Sequence, residues 1–187
     1  MIWLASFPRS GNTFFRNILF EVYGLESSTF HREANYPLDE NYAAYPFVKT
    51  HLLPEQLPEA HRAAPKVYLV RDGRDTMVSL AHHRKDIIEP GTDYYTNLLE
   101  AILAAEGSYF GGWSENVRQW VAVADVVIRY EDLIEDPLRE VEKLRAICDL
   151  PEPRRERLPT FEKLKFGKPQ YGSGVTFLDE EKAVADL

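Results

Sequence analysis

Four short apolar runs, Ile2 to Phe7, Tyr45 to Val48, Lys66 to Val70 and Val126 to Arg129, each end in a cluster of polar residues. Runs this short read as buried strands, and Pro8 stops the first of them where a loop begins. Helical spacing follows the first run, with Phe14, Phe15, Ile18, Leu19 and Val22 on one face and Gly24 where a left-handed cap is expected. The third run leads through Arg71-Asp72-Gly73 into a helix that reaches about Arg84. Two more helices are predicted over Tyr95 to Glu106 and Trp113 to Val123, separated by Gly111-Gly112. After the fourth run, Asp136-Pro137 supplies an N-cap and a first-turn proline for a helix ending near Cys148. Strands that alternate with helices imply an α/β fold of three layers, a mostly parallel central sheet flanked by helices on both faces. In such sheets ligands bind at the carboxyl ends of the strands, where the polar clusters fall here.

At 187 residues the chain suits one domain spanning 1–187, in which 151–187 reads as an irregular segment able to serve as a lid. Pro153, Arg154, Arg155, Arg157 and Pro159 look like a connector with a solvated basic face, and Gly167 to Gly174 like a loop. The net charge of -8 repels polyanions, so nucleic acid is not an expected partner and any anionic ligand needs a local basic pocket. Cys148 is the single cysteine, which excludes an internal disulfide and zinc sites built on paired cysteines. Met1 is followed by Ile2-Trp3-Leu4-Ala5 without a basic leader or a long apolar run, so no membrane span and a cytoplasmic location are expected.

The junction Phe7-Pro8-Arg9-Ser10-Gly11-Asn12-Thr13 lies between the first strand and the first helix. Backbone amides and the positive helix end converge there, Arg9 adds a charge, and Ser10, Asn12 and Thr13 add short polar groups. Gly11 lets a ligand approach the backbone closely. An ordinary tight turn with an N-cap uses the same residues, and one glycine does not decide between the two readings. Arg71 stands at a strand end, where its guanidinium fork can receive an anion. The competing reading is a surface pair of Arg71 with Asp72 or Asp75. His51 follows a strand end, where an imidazole can take a proton near neutral pH. The neighbours His82 and His83 diverge on their helix and make a poor metal pair.

Four segments in order resemble the sulfotransferase family that uses 3′-phosphoadenosine 5′-phosphosulfate. The Phe7 to Thr13 loop is similar to that family's 5′-phosphosulfate loop, and Val48-Lys49-Thr50-His51-Leu52-Leu53-Pro54 to its Lys-Thr-His-Leu-Pro segment. Val70 to Ser79 resembles its 3′-phosphate motif, and Ile128 to Leu133 the Tyr-Glu-Asp segment that closes over the adenine. The resemblance implies a P-loop NTPase-like sheet and transfer of a sulfuryl group to a hydroxyl or amine acceptor, a small molecule or a glycan. It implies His51 as general base, with Lys49 and Arg9 offsetting charge on the leaving phosphate. Arg9, Ser10, Gly11, Asn12, Thr13, Phe14, Arg71, Ser79 and Tyr130 would hold the donor. A sulfuryl group carries less charge than a phosphoryl group, so fixed cations suffice and no metal is predicted.

Arg9 stands where many members have lysine. The family's C-terminal Arg-Lys-Gly loop has Phe166-Gly167-Lys168 as its nearest counterpart, so Lys168 is the candidate for that role. Trp113 and Trp120 share a helical face and read as core, on a helix that the family often uses as an acceptor wall. The acceptor loops, Ser28 to Tyr45 and Ile87 to Tyr94, carry no recognisable code, and no counterpart of the family's dimer motif is evident. Two other readings compete: a P-loop nucleotide kinase or NTPase, which should place a lysine directly before the hydroxyl residue, and a non-catalytic nucleotide-binding protein.

Overall fold

The structure is a computed structural model that describes residues 1–30, 40–104, 109–160, 163–164 and 169–171. Its centre is a five-stranded sheet in the order β2-β3-β1-β4-β5, formed by β1 (Ile2–Ser6), β2 (Ser27–Thr29), β3 (Phe47–Thr50), β4 (Lys66–Val70) and β5 (Val126–Arg129). Every pairing is parallel, which tightens the expectation of a mostly parallel sheet. The helices are α1 (Asn12–Tyr23), α2 (Gly73–His83), α3 (Tyr94–Leu103), α4 (Trp113–Val121), α5 (Tyr130–Glu135) and α6 (Pro137–Glu142).

Strand alternation divides the core. Ile2 and Leu4 of β1, with Phe47, Val67, Leu69, Val126 and Ile128, face Phe15, Ile18, Leu19 and Val22 of α1 and Leu133, Val141 and Leu144. Trp3, Ala5, Val48 and Tyr68 point the other way and pack on Leu57 and Trp120. Both faces are therefore apolar, as a parallel sheet requires.

Several boundaries differ from the sequence reading. The strand expected over Tyr45 to Val48 runs Phe47–Thr50: Pro46 has no N–H to donate, although its carbonyl accepts from the Ile2 amide at 2.8 Å, whereas Lys49 and Thr50 continue the pairing with β1. β2 lies within a stretch read partly as loop. Its Ser-Ser-Thr sequence has no apolar period, and it is held at the sheet edge by Ser27 opposite Phe47. The helix predicted to reach Cys148 ends at Glu142 and tightens into a 3-10 turn over Lys143–Ala146. Asp136 caps it as expected, accepting from the Arg139 amide. Gly24 has φ 70° and donates to Phe20 O at 2.9 Å, closing α1 as its position predicted. The arginines after Pro153 do more than face solvent: Arg154 donates to the Val22 and Phe20 carbonyls at the end of α1, and Arg157 pairs with Glu21 at 2.7 Å.

Candidate active site

Parallel register decides which loops meet. Ala5 lies opposite Thr50 and Ser6 opposite Leu69, so β1, β3 and β4 end at one sheet edge. The residues that follow them, Phe7 to Gly11, His51 and Arg71-Asp72, therefore share that edge.

In the first loop Arg9 has φ 68° and Gly11 φ 92°, both left-handed, so the chain reverses sharply into α1. The Arg9 Nε donates to Ser79 Oγ at 3.2 Å, and Arg71 Nη1 donates to the Arg9 carbonyl at 3.1 Å. The Arg71 guanidinium also lies over the Tyr130 ring, 4.6 Å from its centroid. The same ring covers Gly11, where an added Cβ would sit 2.3 Å from Tyr130 Cδ2. Residues from three sequence segments thus form one cluster: Arg9, Gly11, Arg71, Ser79 and Tyr130.

The cluster is electropositive. Burial first, and then the charge of Arg71, pull the Arg9 guanidinium below its ordinary value. Burial pushes the Tyr130 phenol up. Arg71 does not pair with Asp72 or Asp75. Asp72 instead takes Arg74 at 2.6 Å and caps α2 by accepting from the Arg74 amide. Three buried side-chain atoms lack a partner among the described residues: Ser10 Oγ, Asn12 Oδ1 and Arg71 Nε. All belong to the two candidate phosphate segments. An orphan of this kind costs about 1–3 kcal/mol, which is tolerable where a ligand completes the bonding. A buried hydroxyl and a guanidinium N–H beside two cations fit an anionic phosphate.

His51 is buried, with its Nδ1 2.7 Å from the Ser6 carbonyl. A carbonyl oxygen only accepts, so Nδ1 carries the hydrogen and the lone pair sits on Nε2. Ser6 Oγ lies 3.4 Å from the same Nδ1 and receives the Asn12 amide nitrogen at 3.1 Å. The Asn12 nitrogen thus points towards the base rather than into the loop. Lys49 is half-buried on β3 two residues before His51, and Thr13 half-buried in the first turn of α1. Phe14 packs into the core, so a contribution to a ligand would come from its backbone. Lys168 and residues 31–39 of the acceptor loop lie outside the described residues.

Four further residues shape this site, none of them given a site role by the sequence: Ser6, Asn116, Glu131 of the segment that resembles the family's Tyr-Glu-Asp, and Trp113, whose spacing reads as core. Ser6 holds His51. Glu131 Oε1 accepts from the Asp72 amide at 2.9 Å and ties the β5–α5 junction to the start of α2. Trp113 is half-buried rather than core, with its indole over Gly73 and its Nε1 donating to the Arg71 carbonyl at 3.2 Å. Asn116, wholly buried on α4, donates to the His51 carbonyl at 3.4 Å. Only the last carries a sequence signal, as a polar residue at a buried helical position. A cleft of about 1190 Å³ between α2, α3 and α4 is lined by Met77, Val78, Leu98, Ile102 and Trp113 but by none of Arg9, Arg71, Ser79 or His51. Among the described residues no cluster of His, Cys, Asp or Glu is placed to hold a metal ion, and no helix is long and apolar enough to cross a membrane.

A family model described as a sulfotransferase domain matches residues 21–171, from within α1 onward. Sulfotransferase 1A1 of Canis lupus familiaris is 33% identical over 104 residues, covering 52% of this chain and 35% of that protein. Cytosolic sulfotransferase 1 of Danio rerio is 27% identical over 177 residues, covering 80% of this chain and 59% of that protein. The chain thus spans only part of the length of these curated relatives. Mouse sulfotransferase SULT7A1 complexed with PAP superposes with a TM-score of 0.72 at 22% identity, over 96% of this chain and 72% of that one. Retinol dehydratase in complex with androsterone and inactive cofactor PAP gives 0.60 at 18% identity, over 98% and 69%. At these identities the structural likeness is one of fold, and it agrees with the parallel β2-β3-β1-β4-β5 sheet. With most of its residues matched by the family model, the chain belongs to the sulfotransferase family.

Proposed function

We propose that the chain binds 3′-phosphoadenosine 5′-phosphosulfate at the ends of β1 and β4 and transfers its sulfuryl group to a small-molecule hydroxyl or amine. The observation that carries this reading is the convergence of Arg9, Arg71 and Ser79 on one half-buried cluster, at the same sheet edge as a histidine held with its lone pair on Nε2. Structural neighbours complexed with PAP support the donor, and the androsterone held by retinol dehydratase supports a small-molecule acceptor. Similarity to cytosolic sulfotransferase 1 of Danio rerio supports a cytoplasmic location here.

The residues divide the work by position. Arg71, Ser79 and Ser10 bind phosphate oxygens, and Tyr130 stacks against the guanidinium that does so. Bound donor supplies the sulfuryl group and a phosphate leaving group. His51 takes the acceptor's proton at Nε2 as the acceptor oxygen or nitrogen bonds to sulfur and the bond from sulfur to the bridging oxygen breaks. The Ser6 carbonyl then faces the Nδ1–H of an imidazolium and stabilises it. Lys49 and Arg9 offset the negative charge that passes to the phosphate, and the displacement is governed by positioning and fixed charge.

Calorimetric titration with 3′,5′-adenosine bisphosphate beside ATP with magnesium tests the donor. Tighter binding of the bisphosphate is expected, and tighter binding of ATP would indicate a kinase or NTPase instead. His51→Ala and Lys49→Ala should each lower turnover by a factor on the order of 10² or more while bisphosphate affinity changes little. Full turnover in His51→Ala would remove the base assignment.

A further inference from the structure

Beyond the residues that touch donor or acceptor, one buried polar network meets the candidate base from the far side of the sheet. Asn116, in the first turns of α4, is wholly buried, and each of its polar atoms is engaged. The Tyr68 hydroxyl donates to Oδ1 at 2.9 Å. Nδ2 donates to the Phe110 carbonyl at 3.2 Å and more weakly to the His51 carbonyl at 3.4 Å. Burial pushes the Tyr68 phenol up, so its hydroxyl keeps the hydrogen that it donates. With oxygen facing the phenol and nitrogen facing two carbonyls, the amide has one workable orientation.

What the amide grips is strained. Phe110 is a non-glycine residue with φ 56° and ψ 39°, a conformation that persists only where surrounding structure enforces it. Its ring lies 5.5 Å from the His51 imidazole at 57°. Asn116 therefore clamps, through two main-chain carbonyls, both the base and the ring packed against it. Neither phosphate segment takes part in this clamp, and the Arg9–Ser79 contact lies on α2.

We infer that Asn116 is a positioning residue that sets the His51 imidazole against Phe110, and so fixes the direction from which an acceptor can reach Nε2. This rests on the reading of His51 as the base. Neither hydrophobic filling nor charge substitutes for the amide. A leucine leaves the Tyr68 hydroxyl and two carbonyls without their partner, and an aspartate sets a carboxylate oxygen against those carbonyls.

The test uses the full chain with Asn116→Asp and, as a milder lesion that removes one oxygen, Tyr68→Phe. For each variant the affinity for 3′,5′-adenosine bisphosphate, the steady-state constants for an acceptor, and the His51 ring signals in 1H–15N spectra are measured. The His51 signal is identified among the five histidines as the one missing from His51→Ala. Misplacement of a reacting group by about 1 Å costs on the order of 10²-fold in rate. Asn116→Asp should therefore lose about 10- to 100-fold in kcat/KM for the acceptor, with bisphosphate affinity held within about twofold and the His51 ring signals displaced. Tyr68→Phe should move the same quantities in the same direction by less. Unmoved His51 signals in both variants would overturn the inference. So would bisphosphate binding that falls in step with turnover in both, because that is the mark of a purely structural role. The ring signals do not depend on sulfuryl transfer, so failure of the base assignment, seen as turnover in His51→Ala, is read separately.

Discussion

Gly11 carries two constraints that alanine would violate together, a φ of 92° and a tyrosine ring 2.3 Å from the position of a Cβ. Gly91 offers a control, since its φ is 94° but nothing lies within 4 Å of its Cβ position. Gly91→Ala should cost only the backbone term, about 1–2 kcal/mol in urea denaturation, and leave nucleotide binding intact. Gly11→Ala should cost more, because Tyr130 must also leave Gly11 and with it the Arg71 guanidinium. We expect bisphosphate affinity to fall at least about tenfold in Gly11→Ala, matching the loss of one charge-assisted contact. Equal effects of the two substitutions on binding would show that the ring is not part of the nucleotide site. At this scale the sequence was informative where a residue's chemistry is local: Gly11 and Arg71 stand out by type and position, and Ser79 by its place in the segment that resembles the family's 3′-phosphate motif. It was silent on Ser6, whose part is played by a backbone carbonyl that any residue possesses.

Arg16 shows how elements are joined where apolar packing is thin. On α1, and with its pKa pulled down to about 10 by burial, it donates to Ser27 Oγ at 2.7 Å and to Ser27 O at 3.0 Å. Its guanidinium stacks 4.0 Å from the centroid of the Tyr171 ring. The neighbouring Asn17 brackets the Tyr171 backbone, donating to its carbonyl at 2.9 Å and accepting from its amide at 3.1 Å. The three-residue strand β2, with two serines and a threonine, depends on this bracket for more than its ladder. Arg16→Met keeps the stem and removes the guanidinium, and it should cost about 2 kcal/mol in urea denaturation. Hydrogen exchange at the Ser28 and Thr29 amides should quicken while that of β1 does not, and uniform exchange across the sheet would contradict a local role. Apolar spacing made β1, β4, β5 and α1 legible because their side chains face a core. β2 was not legible, because a strand held by an arginine and a tyrosine distant in sequence has no period of its own.

Across the whole molecule, a net charge of -8 surrounds a half-buried pair of arginines 3.1 Å apart from guanidinium nitrogen to carbonyl oxygen. A surface of that sign repels extended polyanions, whereas a small diphosphorylated ligand needs only the cluster. The protein should therefore pass through immobilised heparin at about 0.1 M salt, where charges within roughly 10 Å still interact, yet be retained on immobilised 3′,5′-adenosine bisphosphate. Retention on heparin that persists in the presence of the bisphosphate would place the acceptor among polyanionic glycans instead of small molecules.

The order of strand, polar cluster and helix, read from the chain alone, determined the fold class and the segments able to meet a phosphate, because burial on both faces of a parallel sheet dictates a short apolar run. Register was left to the tertiary structure. Only the pairing of Ala5 with Thr50 brings the Ser6 carbonyl to His51, and only the crossing of α4 over β4 brings Asn116 to the same histidine. These contacts join residues 45 and 65 positions apart through main-chain atoms, and main-chain atoms leave no mark in a sequence of side chains.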